Sequence, residues 1–375
     1  MRINPNPESN VPDPVEYGRF FLPGPTEVRP EVLQAMTRPM IGHRVPEMEE
    51  LIGFIEPRLK TIFQTSRPVY IVPSSGTGLM EAAVRNGARR HVLSLVNGAF
   101  SERFHRIAQA NGLEADALEV PWGAAHTPAM LDGALQRGIY DAVTVAHSET
   151  STGVLNPIEQ LADVAHQNGD VALLVDSVSG LAGAPVKSDE WELDFVLTGA
   201  QKCLALPPGL AFGVAQPSVL ERARSKANRG IYFDLLEYEK NIEGNQTPNT
   251  PAVSLLYATA VQVEHIVSEG MEARWRRHAR MAERTHAWVL ELNDRGVGLD
   301  IVAPEGSRSP TVTCVEVPDG WTGPKVVDAA RSAGFAIATG YGKLKEGTFR
   351  IGHMGEHTLD ELDALLGVLT DAFTR

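Results

Sequence analysis

Residues 171–202 read VALLVDSVSGLAGAPVKSDEWELDFVLTGAQK, and this stretch decides the fold class. It opens with five apolar residues, Val171–Val175, that show no polar alternation. Such a run indicates a strand buried on both faces, which is typical of a parallel sheet covered by helices. A second short run, Asp194–Thr198, follows and ends close to Lys202. We therefore expect two neighbouring buried strands with polar residues at their carboxyl ends.

Outward from this stretch, short apolar runs alternate with helical segments. Five further candidate strands are Val69–Pro73, His91–Val96, Glu114–Val120, Asp141–His147 and Leu210–Ala215. Helices are predicted at Thr77–Arg89, Glu102–Asn111 and Pro157–Gln167, and Gly112 and Gly169 end two of them. The repeated βαβ order predicts an α/β domain over residues 19–268, built on a mostly parallel seven-stranded sheet.

A smaller C-terminal α+β domain is predicted after this sheet. A long charged helix over Met271–Arg295 connects to it, and Thr311–Val317 alternates as a half-exposed strand would. The remaining predicted elements are a helix at Thr322–Ala333, a strand at Thr348–Ile351 and a closing helix at Thr358–Phe373. The predicted division is a tail over 1–18, a large domain over 19–268 and a small domain with its connector over 269–375.

Composition restricts the partners and the compartment. The chain of 375 residues has 34 Lys and Arg against 47 Asp and Glu, a net charge of −13 that opposes binding to nucleic acid or anionic lipid. Its two cysteines, Cys203 and Cys314, cannot form a disulfide framework, which favours a reducing, cytoplasmic location. The sequence contains no apolar run long enough to predict a membrane span, and its N-terminus does not resemble a signal peptide.

Four predicted strand ends carry polar residues where ligands bind in open parallel sheets. Ser74–Gly78 opens a helix, so it suits either a bound anion or a simple helix cap. His147–Thr152 is a run of six polar residues that needs a ligand, a partner or solvent. Asp176 either pairs with a cation or caps the next element. Lys202 lies among apolar residues and is either a surface lysine or a partly desolvated amine able to form a Schiff base.

Together these residues are the set that pyridoxal 5′-phosphate requires. Its phosphate needs backbone N–H groups and hydroxyls, its pyridinium nitrogen needs a carboxylate, and its aldehyde needs an amine. Phe100, after the strand that ends at Val96, offers a ring to stack on the cofactor, although an aromatic side chain there also suits the core. The sequence therefore predicts pyridoxal phosphate as the cofactor.

The chain also resembles the class V branch of fold-type I pyridoxal-phosphate aminotransferases, in particular the alanine/serine–glyoxylate aminotransferases. The matching stretches, in the family's order, are Phe21–Thr26, Ser75–Gly78 with Glu81, Asn97–Gly98, His147–Gly153, Asp176–Val178, Gln201–Lys202, Pro207–Gly209 and Phe349–Gly352. The resemblance covers about residues 20–360. It implies a fold-type I homodimer with active sites at the subunit interface, which moves an amino group from serine or alanine to glyoxylate or pyruvate.

The resemblance also implies a role for individual residues. Lys202 would attach to the cofactor aldehyde and move the substrate proton, and Asp176 would pair with the pyridine nitrogen. The other implied cofactor contacts are Ser75, Gly76, Thr77 and Gln201 at the phosphate, Phe100 and Val178 on the two ring faces, and Thr150 near the ring hydroxyl. Arg350 would clamp the substrate α-carboxylate, with Gly24 and Arg44 also on the substrate side. Gln246, Thr247 and Thr250 would cross the dimer to the partner's phosphate, although their segment also suits a simple proline-bounded turn.

Several alternatives stay open at this point. Arg44 binds a second acidic group of the substrate or makes a structural ion pair, and His353 influences substrate choice or lies on the surface at a strand end. His147–Gly153 also resembles 2-aminoethylphosphonate–pyruvate aminotransferases. A carbon–sulfur lyase of the cysteine-desulfurase type needs a mobile cysteine and usually has histidine before the lysine, whereas Gln201 stands there. A pyridoxal-phosphate sensor fused to a DNA reader is opposed by the chain length and the charge.

Overall fold

The computed structural model describes residues 16–374, so the predicted tail over 1–18 lies mostly outside the described residues. The helices are α1 Pro30–Ala35, α2 Pro46–Phe63, α3 Gly76–Gly87, α4 Ala99–Ala110, α5 Pro128–Leu135, α6 Ile158–Gln167, α7 Pro217–Arg224, α8 Leu235–Ile242, α9 Val253–Glu269, α10 Met271–Asn293, α11 Gly323–Ser332 and α12 Leu359–Thr374. The strands are β1 Val69–Val72, β2 His91–Val96, β3 Glu114–Glu119, β4 Ala142–Ala146, β5 Ser148–Glu149, β6 Val154–Leu155, β7 Ala172–Asp176, β8 Phe195–Gly199, β9 Ala211–Ala215, β10 Asp300–Ile301, β11 Val312–Glu316, β12 Ala338–Thr339 and β13 Thr348–Gly352.

A seven-stranded sheet forms the centre of the larger part, in the order β1–β9–β8–β7–β4–β2–β3. The strands from β8 to β3 pair in parallel, whereas β9 runs antiparallel to both of its neighbours. Every residue of β4, β7, β8 and β9 is buried, which explains why their sequences are almost entirely apolar. The edge strand β3 is mostly exposed. The predicted α/β fold with a mostly parallel sheet is confirmed.

The parallel strands bring their carboxyl ends to one edge of the sheet. Helices α3 and α4 begin there, directly after the turns that follow β1 and β2. After the last residues of α4 and α6, Gly112 and Gly169 have φ values of +76° and +97°, a backbone conformation that favours glycine. The predicted role of these two glycines in ending helices is confirmed.

The smaller part is built on an antiparallel sheet with the order β10–β11–β13–β12 and has its own apolar core. Helix α10 belongs to both cores, because Trp275 packs in the first and Trp288 in the second. Phe21 also packs in the second core, where its ring stacks on His357 with a centroid distance of 4.1 Å. The N–H of Phe21 donates to the carbonyl of Ala336 at 2.8 Å, so the first described residues close the small sheet.

One expectation about this part is wrong. Thr311–Val317 was expected to be half-exposed, but the first four residues of β11 are buried. One face of the strand packs on the small core, and the other lies against the loop of the larger part that contains Gly153. A Cβ on Gly153 would lie 3.1 Å from the nitrogen of Cys314, which shows how closely the two backbones approach. None of the helices within residues 16–374 is long and apolar enough to cross a membrane.

Candidate active site

A cavity of about 170 Å³ opens at the carboxyl edge of the large sheet. It brings together nine of the residues predicted for the site, namely Ser75, Gly76, Thr77, Phe100, Thr150, Asp176, Val178, Gln201 and Lys202. These residues come from separate strand ends and helix starts, so the fold and not their sequence spacing assembles them. Arg103 also lines the cavity, and the sequence did not single it out.

Asp176 ends β7 at the bottom of the cavity and is 5% exposed. Its Oδ1 accepts a hydrogen bond from the N–H of Val178 at 2.8 Å. Burial raises the pKa of Asp176 to about 7, against the lowering effect of that hydrogen bond. Within residues 16–374, no cation lies at ion-pair distance from this carboxyl group. Asp176 is therefore placed to receive a positively charged nitrogen.

Lys202 follows β8 and is 8% exposed. Its Nζ donates to the carbonyl of Pro23, and its own carbonyl accepts from the hydroxyl of Thr26 at 3.0 Å. Burial, assisted by the charge of Arg350, lowers the pKa of Lys202 to about 8. A lysine with this pKa has an appreciable neutral fraction near pH 7 and can attack an aldehyde.

Gly24 lies directly against this lysine. It has a φ of +108°, and a Cβ there would lie 2.3 Å from the Nζ of Lys202. A side chain here would displace the lysine amine and strain the backbone, so Gly24 leaves this space free. This position agrees with the predicted place of Gly24 on the substrate side, although its role stays a prediction.

The opposite end of the cavity is made by the start of α3. Ser75 precedes the helix and Gly76 is its first residue, so backbone N–H groups point outward without helical partners. A Cβ on Gly76 would lie 2.4 Å from Val178, and only glycine lets the helix start so close to that side chain. The Oε1 atom of Gln201 is buried there without a hydrogen-bond partner in the described chain. This end can hold an anion.

The polar run at 147–152 is hydrogen-bonded to helix α4. Glu149 is fully buried and accepts hydrogen bonds from the N–H groups of Phe100, Ser101 and Ser151, and from both serine hydroxyls, at 2.6–3.3 Å. A Cβ on Gly98 would lie 2.4 Å from the Glu149 side chain. Glu149 therefore fixes the first turn of the helix that carries Phe100. The sequence contained this glutamate but did not show which helix it would meet.

Arg350 lies on β13 at the border between the two parts of the molecule and is 7% exposed. Its Nε donates to the carbonyl of Thr339 and its Nη1 to that of Thr150, both at 3.0 Å. The ring centroid of Tyr341 lies 5.6 Å from the guanidinium carbon and 5.3 Å from the ring centroid of Phe100. Within residues 16–374, Arg350 has no carboxylate partner, so its charge is available to a ligand.

Six of the predicted residues do not line this cavity, namely Gly24 and Arg350, described above, and Arg44, Gln246, Thr247 and Thr250. Arg44 donates to the carbonyl of Thr247 at 2.8 Å, to that of Pro248 at 3.2 Å and to the Oε1 of Gln246 at 3.4 Å. Thr247 is buried and its hydroxyl donates to Asn249, whereas Thr250 is exposed. Arg44 thus holds the segment that was predicted to reach the partner's site.

Three other side chains are too deeply buried to act as reactive surface groups. His353 is completely buried and contacts the hydroxyl of Thr285 at 3.0 Å, so the expectation of a surface histidine is wrong. Burial lowers the pKa of His353 to about 3. Burial also raises the pKa of Cys203 to about 12 and that of Cys314 to about 11. Neither thiol is placed to act as a nucleophile.

A larger cavity, of about 490 Å³, lies near the amino ends of the central strands. Its charged side chains largely neutralise each other, since His166 contacts Asp194 at 2.9 Å and Arg222 pairs with Asp170. It contains none of the residues predicted for chemistry, and the carboxyl edge remains the candidate active site.

Comparisons with known proteins identify the family of this chain. The sequence model of the family described as aminotransferase class-V matches residues 23–365. An uncharacterized aminotransferase of Methanocaldococcus jannaschii is 39% identical over 90% of this chain and 87% of its own. The serine–glyoxylate aminotransferase of Methylorubrum extorquens is 32% identical over 94% and 89%. The solved alanine–glyoxylate aminotransferase of a Nostoc species superposes with a TM-score of 0.87 at 28% identity, over the full length of both chains.

Proposed function

Because this chain belongs to the class V aminotransferases, we propose that it moves an amino group from a small amino acid, serine or alanine, to a 2-oxo acid such as glyoxylate or pyruvate. The chain is a pyridoxal-phosphate-dependent aminotransferase of fold type I. The choice of substrates is supported by the similar serine–glyoxylate and alanine–glyoxylate enzymes. The observation that carries the proposal is the single cavity that joins the Lys202 amine, the Asp176 carboxyl group and an anion-binding helix start.

The residues of the cavity fit pyridoxal phosphate. The Asp176 carboxyl group has no counter-ion in the described chain, and the first backbone N–H groups of α3 are free to donate to a phosphate. Gly24 and Gly76 leave space that any Cβ would fill. When bound, the cofactor supplies an electron sink for the negative charge that develops at the substrate α-carbon.

The proposed catalytic residues are Lys202 and Asp176. Lys202 would hold the cofactor through its amine and, when that amine is free, would carry the proton that leaves the substrate α-carbon. Asp176 in its charged form would keep the pyridine nitrogen protonated, because attraction to that nitrogen opposes the rise in pKa that burial causes. Gly24 leaves the amine room to move between these tasks.

Arg350 is proposed to bind the substrate α-carboxylate through its guanidinium fork. The backbone carbonyls of Thr150 and Thr339 fix its orientation. The ring of Tyr341 lies 5.6 Å from the guanidinium carbon of Arg350 and 5.3 Å from the ring of Phe100.

Borohydride reduction and a donor panel test the proposal. Reduction of the holoenzyme should fix the cofactor on Lys202, as a peptide map would show, and Lys202→Ala should abolish both half-reactions. The panel, which includes 2-aminoethylphosphonate and cysteine, is followed by the absorbance change as the cofactor passes from its aldehyde to its amine form. A label on another lysine would refute the assignment. Sulfide release from cysteine without conversion by any donor would instead favour a lyase.

The lyase alternative finds no support in the cysteines. Cys203 and Cys314 are both buried, and burial raises the pKa of each thiol well above its ordinary value. A mobile thiolate that reaches a substrate sulfur needs the opposite environment.

A homodimer in the cytoplasm completes the proposal. Thr250 is exposed and does not line the cavity of its own chain, and Arg44 holds its segment in place. Mixing Lys202→Ala subunits with Thr250→Val subunits tests this contribution across the dimer. One site of each mixed dimer then has both Lys202 and Thr250 intact, so activity should exceed that of either parent. No gain would contradict the exchange of Thr250 between subunits.

A further inference from the structure

The end of the cavity that suits a phosphate lacks an assigned positive charge. Ser75, Gly76, Thr77 and Gln201 are neutral, and a phosphate monoester carries a charge of about −1.5 to −2 at neutral pH. Burying such a charge without a cation is costly, even at a helix N-terminus. A cation close to this end of the cavity would offset that cost.

Only two of the described residues that line the cavity are cationic, Lys202 and Arg103. Lys202 is committed to the aldehyde end, where its Nζ donates to Pro23. Arg103 lies on α4, and its Nη1 donates to the hydroxyl of Thr77 at 3.2 Å. Its guanidinium carbon lies 4.9 Å from the ring centroid of Phe100, which precedes it by three residues on the same face of the helix.

We propose that Arg103 is the counter-ion of the cofactor phosphate. Its guanidinium is half-buried between Thr77 and the Phe100 ring, and no described carboxylate pairs with it. Of its five N–H donors, the contact with Thr77 occupies one, and the planar fork of the others suits phosphate oxygens. One turn of α4 then supplies both the aromatic ring for the pyridine and the charge for the phosphate.

The proposal deepens the assignment of the cofactor site and does not depend on the choice of amino donor. Its test compares pyridoxal phosphate with pyridoxal, which keeps the aldehyde and the ring but has no phosphate. Dissociation constants of both compounds are measured by equilibrium dialysis without substrate, for the wild type, Arg103→Gln and Arg103→Lys. Arg106→Gln is the matched control, because Arg106 is exposed, lies three residues further along α4 and does not line the cavity.

Arg103→Gln should weaken the binding of pyridoxal phosphate roughly 10- to 100-fold, as expected for one hydrogen bond to a charged group. Its affinity for pyridoxal should stay within about twofold of the wild type, and Arg103→Lys should recover part of the loss because it keeps the charge. Arg106→Gln should change neither affinity. Equal losses for the two compounds would overturn the proposal and show that Arg103 only supports the Phe100 ring. An unchanged affinity for pyridoxal phosphate would overturn it as well. If Arg103→Gln does not fold, the ratio of the two affinities in Arg103→Lys decides.

Discussion

Glu149→Gln tests whether one buried carboxylate fixes the helix that carries the aromatic ring of the site. In the best orientation, the glutamine amide keeps the contacts with Ser101 and donates to the hydroxyl of Ser151. It leaves the N–H of Ser151, now 3.1 Å from Oε1, without an acceptor and removes the negative charge at the start of α4.

The size of the effect follows from these two losses. A hydrogen bond to a charged acceptor contributes about 1.5–3 kcal/mol. A charge in a favourable, buried position at a helix terminus contributes up to about 2 kcal/mol. Glu149→Gln should therefore lower the free energy of unfolding by roughly 2–5 kcal/mol.

The measurement is urea denaturation of the cofactor-free protein, followed by far-ultraviolet circular dichroism at one fixed protein concentration. Glu102→Gln is the control, because Glu102 lies in the same first turn of α4 but is exposed. Its loss should stay within about 0.5 kcal/mol. If Glu149→Gln costs no more than this control, Glu149 does not fix the helix start.

Three further predictions concern the cavity and the thiols. Gly76→Ala should weaken cofactor binding about tenfold in equilibrium dialysis, because its Cβ would lie 2.4 Å from a valine methyl group, whereas Gly367→Ala, with free space around it, should have no effect. In the cofactor-free protein, burial raises the pKa of Asp176 to about 7 from its ordinary value of 3.8, so the folded state binds the proton more tightly than the unfolded chain. This contribution to stability is lost as the pH rises from about 4 to 7, and Asp176→Asn should flatten the part of that loss that falls between pH 5 and 8, which amounts to at most roughly 3 kcal/mol in urea denaturation at these two pH values. Cys203 and Cys314 should react with a disulfide reagent only after denaturation, and a fast native reaction of either would contradict their burial.

The strands of the large sheet could be predicted to within one or two residues. His91–Val96 matches β2, and Val171–Asp176 differs from β7 by one residue. A strand that is buried on both faces contains few polar residues, and this apolar pattern is visible in the sequence alone. The alternation in Thr311–Val317 misled for the opposite reason. Thr313 contacts His286 and His353 and not water, while Val312 and Cys314 lie against the loop that contains Gly153, so both faces of the strand are buried.

The cavity residues that could be predicted are those that end parallel strands or begin helices. Asp176 and Lys202 were identifiable because a charged group directly after an apolar run is rare. Arg103 and Glu149 were not, since each acts through a partner that the tertiary fold supplies. Arg103 on α4 donates a hydrogen bond to Thr77 on α3, and Glu149 accepts one from Ser101, which is 48 residues away in the sequence. Nothing in their local sequences indicates these tertiary contacts.

The position of Phe21 in the second core has a consequence for the order in which the chain is completed on the ribosome. Its partners Phe335 and His357 are synthesised more than 300 residues later. The large sheet, whose last strand ends at Ala215, can assemble while the ring of Phe21 is still exposed to solvent. The final hundred residues supply the aromatic partners of that ring, and the same part of the chain carries Arg350. A nascent chain can thus form most of its cofactor cavity before it gains the arginine proposed to bind a substrate carboxylate.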